Sequence, residues 1–223
     1  MACTERSRSV KLGKMGKKIY AFIDASNLFY GGEKSLGWKI DYQKLINYIK
    51  KQYKARKVFY YGGVETDGFP YSVLEKKAID LDKLLAYLQQ KSRSRNLTQT
   101  SRVLLQKHIQ RVKFYRKLKQ FGYLLRLKPV KIFKDEQGRT TKKANCDVDM
   151  TFDLMRYFQE YSGVLVLSGD GDFAVVLKYL KEKSKQVTIL ARGERTAREI
   201  RQLANENFRD FSRLETKLKF GER

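Results

Sequence analysis

Two runs of this chain, Ile19-Tyr20-Ala21-Phe22-Ile23 and Val164-Leu165-Val166-Leu167, hold no charged residue; the first leads directly into Asp24 and the second, through Ser168-Gly169, into Asp170. A continuous apolar run of that length fits a strand buried on both faces, as in a parallel sheet covered by helices on either side. The intervening chain supports that alternation. Asp41 caps a helix running to about Tyr53, and Lys57–Tyr61 is a second strand, stopped by Gly62-Gly63. Helical stretches follow at Tyr71–Gln90 and Ser101–Gln120, split by the polar residues 91–100. Tyr123–Leu127 reads as a strand with Val130–Phe133 as its extension, and 135–138 as a turn. Helix 147–160, the strand Val164–Leu167, helix Phe173–Lys183, strand Gln186–Leu190 and helix Thr196–Leu203 complete the order. The expected fold is α/β, with a central mainly parallel sheet between two helical layers. The segment 72–120 is longer than one crossover helix needs and reads as a basic helical insertion. Residues 1–17 read as a flexible basic tail, 18–208 as the domain, and 209–223 as a basic extension.

In open α/β sheets the site lies at the carboxyl ends of the strands. Asp24 follows the first strand, and Ser168-Gly169-Asp170-Gly171-Asp172 follows the later one. An ionised carboxylate at the end of a buried strand is costly unless it is paired or binds a cation. Asp172 has a second reading, as the cap of the following helix. Asp147 opens a helix whose apolar sector, at about 100° per residue, comprises Val148, Phe152, Leu154, Met155 and Phe158. It falls at the edge of that sector, facing the strand ends, and its own alternative is a plain N-cap. Asp149 and Asp153 fall on the outer side as partners for Lys or Arg, with Asp153 available as a support. Carboxylate oxygens select Mg²⁺ or Mn²⁺. His108, the only histidine, lies in the basic insertion and reads as a neutral surface residue. Histidine-dependent ribonuclease chemistry and a Ser-His-Asp hydrolase are therefore excluded, and no GxxxxGK[ST] loop for nucleotide phosphates occurs.

Lys and Arg number 48 against 24 acidic residues, a net charge of +24 that points to a polyanion, nucleic acid first. The excess is concentrated. From Lys83 to Lys134 there is no acidic residue, and 15 are basic. Arg93, Arg95, Lys107, Arg111, Lys113, Arg116, Lys117 and, further on, Lys143 are candidates for contact with RNA phosphates. Phe114, Tyr115, Phe121 and Tyr123 are interleaved and could stack on bases, although core packing is the commoner use of such spacing. A polybasic surface could also meet an anionic membrane. No stretch approaches the roughly 18 apolar residues of a membrane span, and the basic start lacks the apolar middle of a signal peptide. With only Cys3 and Cys146, a disulfide scaffold and a Cys-ligated zinc site are excluded, and a reducing cytoplasm is expected.

Three segments, FIDASNLFYG (Phe22–Gly31), KKANCDVDMTFDLM (Lys142–Met155) and LVLSGDGDFAVVLKYL (Leu165–Leu180), together resemble the NYN domain, the LabA-like branch of the PIN-domain nucleases. That family carries D-x-x-N after the first strand, K-x-V-D entering a middle helix, and S-G-D-x-D-F after a later strand. The likeness covers residues 19–190, with Cys146 where the family usually has Val. It implies a PIN-like three-layer α/β/α sandwich and a metal-dependent endoribonuclease that hydrolyses RNA, single-stranded or structured. It marks Asp24, Asp147, Asp170 and Asp172 as the catalytic quartet, Asn27 and Ser168 as polar supports, and Asp24, Asp147 and Asp170 as holders of Mg²⁺ or Mn²⁺. The principal alternative is an RNA-binding module of the same fold with little turnover; a homodimer is left open. A haloacid dehalogenase-type phosphotransferase would need Asp where Ser26 stands, and a Toprim-like DNA nuclease would want Glu where Asp24 stands.

Overall fold

The computed structural model describes residues 17–29, 34–72, 78–134, 137 and 140–221. The expected basic tail, apart from Lys17, lies outside the described residues. The elements in order are β1 (Ile19–Asp24), α1 (Ala25–Asn27), α2 (Lys34–Leu36), α3 (Tyr42–Tyr53), β2 (Ala55–Val64), α4 (Leu81–Ser92), α5 (Gln99–Phe121) and β3 (Leu124–Pro129). Then come β4 (Lys131–Lys134), β5 (Thr140–Lys143), α6 (Asp147–Arg156), β6 (Gly163–Leu167), α7 (Ala174–Glu182), β7 (Gln186–Ala191), α8 (Arg198–Ala204), β8 (Phe208–Asp210) and α9 (Glu215–Leu218).

Six strands form one sheet in the order β3-β2-β1-β6-β7-β8, every neighbouring pair parallel. The strand β1 is buried at every position, and its alternation divides the core. Ile19, Ala21 and Ile23 face the layer containing α3, α4 and α5, whereas Tyr20 and Phe22 face α6, α7 and α8. Phe22 stacks on Phe59 at 5.2 Å between ring centroids, and each such fully buried side chain contributes about 1.5–3 kcal/mol. The three-layer sandwich read from the sequence is therefore the fold observed.

Several boundaries differ for local reasons. The second strand runs through Gly62-Gly63 because backbone is closely approached there: a Cβ on Gly63 would stand 2.6 Å from the Ala144 Cβ. Helix α4 begins at Leu81, since the Asp80 carboxylate accepts from the amides of Asp82 and Lys83 at 3.0 Å each; residues 73–77 of the expected helix lie outside the described residues. Beyond Val130, whose amide still donates to the Val64 carbonyl, residues 131–134 do not extend β3. They turn away and pair antiparallel with β5, a hairpin that the sequence reading lacked.

The segment read as an insertion is an integral layer. Leu84, Leu88, Leu105, Val112, Tyr115 and Leu118 join the main core, and α5 is itself the crossover from β2 to β3. Residues 209–218 are no appendage either. β8 adds a sixth strand, Phe211 stacks on Trp38 at 5.8 Å, and Asp41 donates its amide to the Leu218 carbonyl at 2.8 Å.

Candidate metal centre

The chain passes from β1 outward to β2 and β3, then returns to the other side of β1 for β6. The carboxyl ends of β1 and β6 therefore border the point where strand order reverses, the usual crevice for a ligand in such sheets. Asp24 ends β1, and the loop 168–172 follows β6 at this crevice.

Asp24 is buried, 8% exposed. One of its oxygens accepts from the amides of Ser26 (2.9 Å) and Asn27 (3.2 Å), and the other from the Ser168 hydroxyl at 3.2 Å. Burial raises its carboxyl above the ordinary range, the Asn27 amide and the Ser168 hydroxyl oppose that rise, and the Asp147 charge adds to it. The Ser168 hydroxyl also receives the Asp170 amide at 3.2 Å, and Asn27 accepts the Gly169 amide at 3.1 Å. Asn27 and Ser168 thus sew the end of β1 to the loop after β6.

Asp147, Asp170 and Asp172 each offer an oxygen, and these oxygens lie within 4.8 Å of one another. The tight group thus contains Asp172, whereas the sequence reading put Asp24 with Asp147 and Asp170 as metal holders. Asp24 touches the group through Ser168, one of its oxygens being engaged by the local amides and the other by the Ser168 hydroxyl. The cap is Asp170, whose carboxylate accepts the Asp172 amide at 3.0 Å, and Asp172 is left exposed. Asp147 is not a cap: it is the first residue of α6, and its amide donates to the Asn145 side chain at 2.9 Å.

The helix α6 is rotated relative to expectation. Val148 is 72% and Phe152 61% exposed, whereas Asp153 is only 3% exposed. Asp153 accepts from Arg126 Nε at 2.7 Å and from the Tyr61 hydroxyl at 3.0 Å. This ion pair turns a carboxylate inward and leaves Val148 and Phe152 outside, while Leu154 of the expected apolar sector stays buried. Arg126 Nη2 also donates to the Tyr157 hydroxyl at 3.1 Å. Asp153 lies outside the acidic triad and fixes α6 instead. Asp149 stands at the surface, 2.6 Å from Lys128.

Cys146 precedes Asp147, and burial first, then the Asp149 charge, pushes its thiol up to about 12. The native thiol is expected to resist DTNB at pH 8 in a Cys3→Ser background and to react fully once unfolded. Rapid reaction of folded protein would contradict this placement.

His108 is not at the surface. It is buried, with Nδ1 2.6 Å from an Asp67 oxygen and Nε2 3.9 Å from Glu65. Asp67 has a left-handed backbone (φ 51°), and its carbonyl accepts from Lys91 Nζ and from the Tyr87 hydroxyl. The histidine thus locks α5 to the loop after β2.

Of the proposed RNA contacts, Arg93, Arg95, Lys107, Arg111, Lys113 and Lys117 are exposed. Arg111 lies 3.5 Å from Glu65, and Arg116 pairs with Asp82 at 2.7 Å. The Lys143 side chain lies outside the described residues. Phe114 and Tyr115 pack in the core or against it, and the Tyr115 hydroxyl donates to the Gly63 carbonyl at 2.6 Å. The sequence reading placed a helix at Thr196–Leu203 but gave residues 192–201 no part in the site, although they follow β7 at the carboxyl ends of the strands.

Fold and centre together define a parallel α/β protein with a cluster of aspartates at its topological switch point. The chain belongs to the NYN domain family, whose match covers residues 64–214; Asp147, Asp170 and Asp172 fall within that match, and Asp24 precedes it. It is similar to the low amplitude and bright protein LabA of Synechococcus elongatus, 24% identical over 188 residues that cover 82% of this chain and 78% of that protein. A protein of unknown function, VPA0982 of Vibrio parahaemolyticus, has a related fold with TM-score 0.55 and 17% identity, covering 88% of this chain and 94% of that one. The bacteriophage T5 D15 protein co-crystallised with metal ions overlaps less well, with TM-score 0.43 and 15% identity over 83% of this chain and 59% of that one. Among the described residues no helix is long and apolar enough to cross a membrane.

Proposed function

We propose that this chain is an endoribonuclease that hydrolyses RNA phosphodiester bonds with Mg²⁺ or Mn²⁺. The observation that carries the reading is the convergence of Asp147, Asp170 and Asp172 within 4.8 Å, where three like charges repel unless a cation joins them. Among the described residues, neither Asp170 nor Asp172 pairs with Lys or Arg. The donor set fits a hard divalent ion: oxygens alone, with the neighbouring Cys146 thiol held protonated. Asp147, Asp170 and Asp172 would hold the ion, with Asp24 behind them. Such an ion, when bound, supplies an acidified water and charge neutralisation at the phosphate. The chain's part is to fix the carboxylates: Asn27 and Ser168 hold the loop, and Asp153 holds α6. The buried His108 is engaged elsewhere and supplies no base. The net charge of +24 draws the polyanion. The reaction fits a cytoplasmic setting, where RNA is the abundant polyanion.

The direct test is labelled single-stranded RNA incubated with the pure chain and manganese or EDTA. Cleavage with manganese and none with EDTA is expected. Binding without cleavage in both would favour an RNA-binding module of this fold.

A second test reads the metal without the reaction. Millimolar Mn²⁺ is expected to raise the melting temperature at pH 8. Because the folded Asp24 carboxyl is raised, the folded chain holds that proton more tightly than the unfolded chain does. In EDTA this residue therefore disfavours folding above its folded pKa, and the penalty fades as pH falls through it. Asp24→Asn is accordingly expected to melt higher than wild type in EDTA at pH 8 and to gain less from Mn²⁺. No Mn²⁺ response in the wild type would remove the metal centre.

A further inference from the structure

The segment after β7 is pinned to the acidic loop. The Ala197 amide donates to the Gly169 carbonyl at 2.9 Å. A Cβ on Gly169 would lie 2.7 Å from Thr196 Oγ1, and one on Gly171 would collide with the Glu199 carboxylate. Thr196 is buried, and its hydroxyl donates to the Arg192 carbonyl at 2.7 Å. Two arginines, Arg195 and Arg198, bracket this contact, and both are exposed.

Their local carboxylates are otherwise placed. Glu194 pairs with Arg192 at 2.6 Å, Arg192 also donates to the Ser35 carbonyl at 2.6 Å, and Glu199 lies against Gly171. Among the described residues, neither Arg195 nor Arg198 makes an ion pair. Two arginines without carboxylate partners thus stand on a segment in backbone contact with the loop that carries Asp170 and Asp172.

We propose that Arg195 and Arg198 grip a backbone phosphate of the bound nucleic-acid strand, next to the phosphate that faces the aspartates. The position assigned to that phosphate rests on the nuclease reading above. A triad of carboxylates repels a polyanion, so cations must reach the neighbouring phosphates for the strand to approach. Arg suits this task because its planar fork meets phosphate oxygens in pairs and stays charged. On α5, by contrast, Arg111 and Arg116 already face Glu65 and Asp82.

The test measures binding of a short labelled RNA, and of DNA with the same sequence, in EDTA across a salt series. Each lost phosphate contact lowers the log–log slope by about 0.7 on single strands, so Arg195→Gln/Arg198→Gln, which releases the one gripped phosphate, is expected to lower it by about 0.7 for both. With manganese, KM for RNA should rise about tenfold while kcat stays within about twofold. Arg195→Lys/Arg198→Lys should keep the slope. Lys51→Gln/Arg56→Gln removes equal charge near the amino end of β2, the other end of the strands from the aspartates, and should leave slope and KM unchanged. An unchanged slope in the Gln pair, a loss on RNA alone, or an equal loss in the control pair would overturn the grip. A wild type that binds through these arginines but never cleaves would overturn the nuclease reading and keep the grip. A wild type that binds neither strand would overturn both.

Discussion

Asp170→Asn is expected to lower RNA cleavage by about a thousandfold while leaving RNA affinity equal or higher. The amide keeps the shape, and Asn caps a turn about as well as Asp, so the 3.0 Å bond from the Asp172 amide persists. What is lost is one negative charge facing a cation. At an effective dielectric near 20 and a separation of about 4 Å, a unit charge pair is worth about 4 kcal/mol, or roughly a thousandfold in rate if the transition state needs it. Affinity should not fall, because removing the charge relieves repulsion of phosphate. The comparison needs single-turnover cleavage, anisotropy and a melting curve on one preparation. Full activity in Asp170→Asn and Asp24→Asn alike would place the chemistry elsewhere.

The second large effect is on stability. Asp153→Ala should cost about 3 kcal/mol, because it strands the Arg126 guanidinium and removes the acceptor of the buried Tyr61 hydroxyl. For a chain of this size that is a melting temperature lower by roughly 6–12 °C. Arg126 is itself 35% exposed, so water takes up part of the loss. Arg126→Met/Asp153→Leu should recover most of it, since an apolar pair of similar volume often replaces a buried ion pair without penalty. A drop below about 2 °C in the single variant would mean that α6 is held by its apolar contacts alone.

The legible part of this fold was the part dictated by strong local signals. Ile19–Ile23 and Val164–Leu167 are apolar without interruption, and Asp41 stands where a helix must begin; all three are observed. The aspartates at the strand ends were legible for the same reason, since carboxylates abutting apolar runs have few structural uses. The orientation of α6 was not, because a partner on β3 decides it. Periodicity assigned the inward face to Val148 and Phe152, yet Arg126 reaches across from β3 to claim Asp153. His108 was misplaced for a related reason: its partners Asp67 and Glu65 are some forty residues away in sequence. The resemblance named Asp24, Asp147, Asp170 and Asp172, but which three oxygens close together depends on Asp24 being tied by the amides of Ser26 and Asn27.

The position of β8 bears on how the molecule is made. Residues 208–210 are the edge strand that covers β7, and the residues after them return to Trp38 and Ile40 near the start of the domain. A nascent chain emerging from the ribosome can pair β1, β2 and β3 early. It cannot shield Trp38 or cover β7 until residues 208–220 have been translated and released from the exit tunnel. Until then β7 presents an open, apolar edge suited to pairing with other chains. The interval before residues 208–220 are released is thus the one in which this domain most needs a chaperone, and stop codons or frameshifts before residue 208 should yield aggregates rather than a shortened folded domain.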